Sequence, residues 1–116
     1  MDFDEVIDEW LALPDVATLL DIPFMQARQL VNEHKVIAVR RGDNNALYVP
    51  AVFFQNGGIV KHLTGTLNLL RDAGYNDDEA MSWLFTSDET LPGSPIEALV
   101  ENRGTEVKRR AQALGF

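Results

Sequence analysis

Arg28 and Gln29, with Gln26 before them and Asn32 after, have types and spacing suited to chemistry on a surface rather than in a core. They lie in the run PFMQARQLVNE, where Ala27, Leu30 and either Phe24 or Val31 recur at the spacing of one buried helical side. The opposite side then presents Met25, Gln26, Arg28, Gln29 and Asn32. An Arg guanidinium can donate twice to the edge of guanine, and a Gln or Asn amide can donate and accept at adenine. An amphipathic core helix with a polar outer side shows the same pattern, so the neighbouring elements must decide between the two.

Upstream, the spacing of Phe3, Val6, Ile7, Trp10 and Leu11 predicts a first helix from about Asp4 to Leu13, ended by Pro14. Asp15 then caps a second helix, Val16 to Leu20, and the third runs from Pro23 to Glu33. Ala17 is the small residue that lets two helices cross. Asp21 stands in the turn, where glycine is common, and Asp is one of the few other residues that tolerates a left-handed backbone. After Lys35 the period changes. Val36–Val39 and Leu47–Val49 are β-rich and flank the polar stretch Arg41-Gly42-Asp43-Asn44-Asn45, which predicts a hairpin closed by Pro50. Two strands directly after a helix-turn-helix form a wing, and Arg40 and Arg41 beside its tip, with Lys35 at its start, suit phosphate contacts. The contrary reading makes them solvated charges that guard a strand edge.

Beyond a short segment at 51–54, Asn56-Gly57-Gly58 marks a boundary between 1–56, the winged helix-turn-helix region, and 57–116, a helical C-terminal region. In the second region Ile59, Leu63, Leu67 and Leu70 predict a helix ending near Gly74. Asn76 caps a helix to about Phe85, Ser94-Pro95-Ile96-Glu97 opens another, and a basic helix runs from about Thr105 to Leu114. The fold class is therefore mainly α with a small β-hairpin wing, an α+β winged helix-turn-helix followed by a helical half.

Charge is segregated along the chain. The total is 10 Lys and Arg against 18 Asp and Glu, a formal −8. Residues 1–33 hold eight acids and one base, and 75–102 hold seven acids and no base, whereas 34–49 and 103–116 are net basic. An acidic total opposes nonspecific adhesion to nucleic acid or anionic membrane and leaves local basic faces free to act. With no cysteine, disulfides, thiolate zinc sites and a cysteine nucleophile are excluded. No apolar run approaches the ~20 residues of a membrane span. The acidic start MDFDEVIDEW is the reverse of a secretory signal, so a cytoplasmic location is expected.

The run LPDVATLLDIPFMQARQLVNEHKVIAVRRGDNNALYVPAVFF resembles the small winged helix-turn-helix DNA-binding proteins of actinobacteria, especially mycobacteria and corynebacteria. The likeness continues through LTGTLNLLRDAGYNDDEAMSWLFTSDETLPGSPIEALVENRGTEVKRRAQAL. It implies binding of double-stranded DNA and a role as transcriptional regulator or nucleoid-associated factor. On this chain it marks the helix Pro23–Glu33 and the wing arginines Arg40 and Arg41. Trp83-Leu84 and the stretch Gly93 to Leu99 are similar to the C-terminal module of antitoxins related to partition-site proteins, which binds a toxin or a second copy. Trp83, Leu84 and Phe85 in a small helical piece are more often core than interface, yet helix-turn-helix proteins commonly pair to read two half-sites, and this half is the natural place for a homodimer contact.

Nothing points to catalysis. His34 and His62 have no ligand-type spacing, Gly57-Gly58 is too brief for a phosphate loop, and Ser82, Ser87 and Ser94 lack a nucleophile-elbow context. No catalytic residue, metal, cofactor or small-molecule ligand is expected. Two readings remain. One is a DNA-binding protein that uses Gln26, Arg28, Gln29, Asn32, Lys35, Arg40 and Arg41. The other is a protein-interaction module, antitoxin-like or an adaptor, whose helix-turn-helix does not bind DNA.

Overall fold

The computed structural model describes residues 3–91 and 93–115. A short helix α1 (Phe3–Val6) leads into strand β1 (Trp10–Ala12), helix α2 (Leu13–Leu20) and helix α3 (Phe24–Asn32). Strands β2 (Val39–Arg41) and β3 (Ala46–Pro50) form the wing. A 3-10 turn (Ala51–Phe53) joins them to a small hairpin of β4 (Phe54–Gln55) and β5 (Gly58–Ile59). Helices α4 (Leu63–Asp72), α5 (Asp77–Phe85), α6 (Pro95–Val100) and α7 (Gly104–Ala113) complete the chain.

The first expectation to fail is the helix from 4 to 13. Only Phe3–Val6 is helical, and Trp10-Leu11-Ala12 is extended, pairing antiparallel with Pro50-Val49-Tyr48 to give the sheet order β1-β3-β2. Without β1 one edge of β3 would be left with unpaired backbone groups, and closing that ladder outweighs a weak local helical periodicity. Pro14 therefore does not end a helix. It sits in the first turn of α2, where its missing N–H is not needed, and Asp15 lies beside it at the positive end of the helix rather than at the cap.

Two other boundaries move for similar reasons. Val36 and Ile37 are buried in the core but lie outside the ladder, so the wing's first strand starts at Val39. The helix expected to include Ile59 starts later, because 54–59 is a small hairpin: Phe54 pairs with Ile59 and Gln55 with Gly58, with Asn56 and Gly57 in the turn at φ 56° and 76°. Asn-Gly is the pair that such a left-handed hairpin turn favours. Ile59 is thus in a strand, and α4 begins at Leu63.

Helices α5 and α6 start where their caps place them. The Asn76 side chain accepts from the Glu79 N–H at 2.8 Å while the Glu79 carboxylate accepts from the Asn76 N–H at 3.0 Å. Ser94 Oγ accepts from the Glu97 N–H at 3.4 Å at the start of α6. Asp88 accepts from both the hydroxyl and the N–H of Thr90, which holds its carboxyl below the usual range; Arg110 beside it acts in the same direction.

A continuous core runs through both halves, from Val16, Ala27, Val49 and Phe53 to Leu63, Leu70, Met81, Leu84, Ile96, Leu99 and Val107. Gly104, at the start of α7, is buried against His62: an added Cβ would stand 2.6 Å from His62 Cγ and 2.7 Å from His62 Cβ. Because His62 Cβ is fixed to its own backbone, swinging the ring does not relieve the clash. Gly104→Ala is expected to cost about 1–3 kcal/mol, read as a lowered thermal midpoint. An unchanged midpoint would refute the close packing of α4 and α7.

Candidate nucleic-acid interface

The helix-turn-helix is built on one left-handed residue. Asp21 has φ 56° and ψ 50°, its N–H donates to the Thr18 carbonyl at 3.2 Å, and the Ile22 N–H donates to the Ala17 carbonyl at 3.0 Å. These bonds satisfy the last carbonyls of α2 and turn the chain sharply into α3. Val16 and Ala17 are buried at the crossing, and Ala27 of α3 has no exposed surface.

Leu30 and Val31 lie half-buried against the core, whereas Phe24 is 43% exposed and Met25 71% exposed. Of the two alternatives for the buried side, Val31 takes the place and Phe24 does not. Gln26, Arg28, Gln29 and Asn32 are all exposed on the opposite side. Among the described residues Arg28 makes no ion pair. Gln29 Nε2 donates to a Glu33 carboxylate oxygen at 3.3 Å, and Lys35 Nζ lies 3.7 Å from the other oxygen. Glu33 was not singled out in the sequence, although its position four residues after Gln29 is the spacing that brings helical neighbours together.

The end of α3 fixes Lys35. His34 is left-handed at φ 61°, its N–H donates to the Val31 carbonyl, and the Lys35 N–H donates to the Leu30 carbonyl at 2.9 Å. Lys35 is exposed, and its own carbonyl accepts from Thr64 Oγ1 of α4 at 2.9 Å.

In the wing, Val39 pairs with Tyr48, Arg40 with Leu47 and Arg41 with Ala46. Successive strand residues point to opposite faces, so the two arginines separate. Arg40 is exposed and reaches across the tip, donating to the Asn45 carbonyl at 3.1 Å. Arg41 turns the other way. Its guanidinium lies 4.3 Å from the Trp10 ring centroid and is paired with Asp4 of α1. The sequence read these arginines as equivalent phosphate ligands. The strand's two-residue period, which that reading did not apply to the pair, makes Arg41 a packing residue as well as a charge. Arg40→Ala is therefore expected to lower the salt slope of DNA binding by about one unit. Arg41→Ala should instead change Trp10 fluorescence and cost about 0.5–2 kcal/mol of stability. Equal changes in salt slope with unaltered fluorescence would refute this division.

The apolar cluster proposed for a dimer contact is mostly internal: Leu84 and Phe85 are buried in the chain's own core, and Trp83 alone of the three is half-buried. A concavity of about 470 Å³ lies between the N-terminal segment and the helical half, with Ile7, Val52, Phe85 and Ile96 on its wall and Asp8, Glu9 and Glu97 among its carboxylates. It includes none of the seven residues above. Among the described residues no helix is long and apolar enough to cross a membrane.

This arrangement has known counterparts. The DNA-binding protein Rv2175c of Mycobacterium tuberculosis (strain ATCC 25618 / H37Rv) is 42% identical over 117 residues, covering 90% of this chain and 79% of its own. The chain belongs to the Rv2175c family. The family model described as "DNA-binding protein Rv2175c, wHTH domain" matches residues 4–54, and "Rv2175c C-terminal domain of unknown function" matches 60–115. A solved structure, "NMR structure of Rv2175c", superposes with a TM-score of 0.82 at 39% identity, covering 93% of this chain and 82% of that one. The resemblance to small actinobacterial winged helix-turn-helix proteins and the α+β fold class both hold in this Rv2175c family member. The wing is the β2–β3 hairpin, and the region after it is mainly helical.

Proposed function

We propose that this chain binds double-stranded DNA, with the outer face of α3 in the major groove and the β2–β3 tip along the sugar-phosphate backbone. The observation that carries the reading is Arg28. It is an exposed cation without an ion-pair partner among the described residues, in the middle of a helix face that also offers Gln26, Gln29 and Asn32. Arg40 at the wing tip and Lys35 at the helix end frame that face with positive charge. The name of the mycobacterial relative supports the same ligand.

The formal charge of −8 then works as an orienting field. Only the basic faces can approach a polyanion, and the acidic ones are turned away. A binding protein of this kind acts by occupying DNA, as a transcriptional regulator or nucleoid-associated factor in the cytoplasm, with no catalytic role. A homodimer through 57–116 would rest on Trp83 and its surroundings, since Leu84 and Phe85 are already covered.

The test is a fluorescence-anisotropy titration of the full chain against labelled duplexes, with random-sequence competitor and a salt series. Saturable binding whose affinity falls with salt is expected. The absence of binding at ~50 mM salt would defeat the proposal. Sedimentation of the same mixtures reads the number of copies on the DNA.

A further inference from the structure

We infer that the helical C-terminal region supplies a phosphate contact of its own, Lys108, placed beside the end of the reading helix. The inference rests on the DNA-binding reading above and gives part of a role to the region that the family model describes as of unknown function.

The contacts run in an unbroken line from the winged region into α7. Thr64, in the first turn of α4, donates to the carbonyl of Lys35, two residues after Glu33, the C-cap of α3. Gly65 is next in the chain. A Cβ placed on it would lie 3.5 Å from both Cε and Nζ of Lys108. The Lys108 ammonium therefore lies against α4 at Gly65, next in the chain to the Thr64 that holds the Lys35 carbonyl. One turn before Lys108 on α7, Gly104 packs against His62, so α4 and α7 are pressed together at this end and the lysine stem is confined.

The local electrostatics favour an anion from outside. Half-buried Lys108 has no carboxylate partner among the described residues, and neither does exposed Lys61 just before α4. No acid occurs between Lys61 and Arg71. On α7, Glu106 is paired with Arg103. Glu33, the acid at the end of α3, is already met by Lys35 and Gln29. Other cations of the helical half are spent internally: Arg71 pairs with Asp77, and Arg110 with Asp88 and Thr90. Lys61 and Lys108 thus remain uncompensated, on or beside the two helices whose contacts lead to the Lys35 carbonyl after α3. A phosphodiester flanking the groove occupied by α3 is an anion that such cations fit.

Arg109 provides an internal control. Val107 and Ala111 are buried on one side of α7, and Arg109, a similar cation one residue from Lys108, is exposed on the side facing away from that core. Net charge changes equally in either variant, whereas only Lys108 lies beside α4.

The experiment compares Lys108→Gln, Lys108→Arg and Arg109→Gln in the full chain, by anisotropy against a labelled mixed-sequence duplex across ~50–300 mM salt. Gln is about as good a helix former as Lys, so the fold should persist, and thermal melts check it. For Lys108→Gln the salt slope should fall by about 0.9 and affinity roughly eightfold at ~0.1 M salt, the span of one contact's slope between 0.1 and 1 M. Lys108→Arg should keep the slope, and Arg109→Gln should leave it unchanged. An unchanged slope for Lys108→Gln, while Arg40→Ala lowers it, would overturn the inference and leave the DNA-binding reading standing. Equal losses for Lys108→Gln and Arg109→Gln would overturn it in favour of net charge alone. No binding by the unaltered chain would overturn the DNA reading itself.

Discussion

Phe53→Ala is expected to lower the unfolding free energy by about 3–5 kcal/mol, the usual cost of removing a large aromatic side chain from a packed core. Phe53 is fully buried in the 3-10 turn that follows the wing, and its ring lies 6.1 Å from that of Phe85 on α5 at a 30° tilt. Helix α6 packs on the same turn. The side chain thus joins the winged region to the helical half, and its removal opens a cavity that a turn held from both sides cannot readily close. Chemical and thermal unfolding followed by tryptophan fluorescence reads both halves, because Trp10 lies in one and Trp83 in the other. The midpoint should drop by more than about 10 °C, with both regions melting together. A loss below about 1 kcal/mol would show that the two halves do not depend on this joint.

Arg28→Ala and Gln29→Ala should each cost roughly 1–3 kcal/mol on a preferred duplex and much less on random DNA. Both side chains are exposed on α3, opposite the buried Ala27, so truncation leaves the core untouched. Alanine favours the helix at least as well as either residue. Arg28 carries charge, and part of its effect is general attraction to phosphate. Gln29 is neutral and isolates base reading. In the free protein its amide is held by Glu33 at 3.3 Å, a bond that must open when the amide meets a base. Binding-site selection from a random library provides the measurement. If wild type and Gln29→Ala return the same site preference, Gln29 does not read bases. If both variants keep that preference while Arg40→Ala loses affinity on every sequence, the protein recognises shape and charge, and α3 only positions it.

The parts of the interface legible in the sequence are those set by near neighbours. The exposed face of α3 follows from the 3.6-residue period around Ala27 and Leu30, and the left-handed turn from the tolerance of Asp21. The starts of α5 and α6 follow from side chains three residues from the N–H groups they satisfy or are satisfied by, at Asn76 and Ser94. Glu33 was within reach of the same logic, since its contact with Gln29 spans one helical turn. Arg40 and Arg41 differ in their surroundings because adjacency in sequence means opposition in a strand, and that holds only once β2 is known to be a strand there.

The helical faces, caps and turn residues of this protein are thus determined by the sequence itself, because their hydrogen bonds and steric limits close within about one helical turn. Tertiary structure decided the rest. Trp10-Leu11-Ala12 became a strand because the edge of β3, nearly forty residues later, needed a partner. Arg41 went to Trp10 and Asp4 because the strand's pleat turned it toward a segment at the other end of the winged region. Phe85 is met by the Phe53 ring, and α6 packs against the helix that carries it and buried Leu84. Lys108 came to lie against Gly65, next in the chain to the Thr64 that holds the Lys35 carbonyl, because α7 packs along α4. In each case burial and pairing depend on groups distant along the chain, and a local pattern holds no record of which distant group arrives.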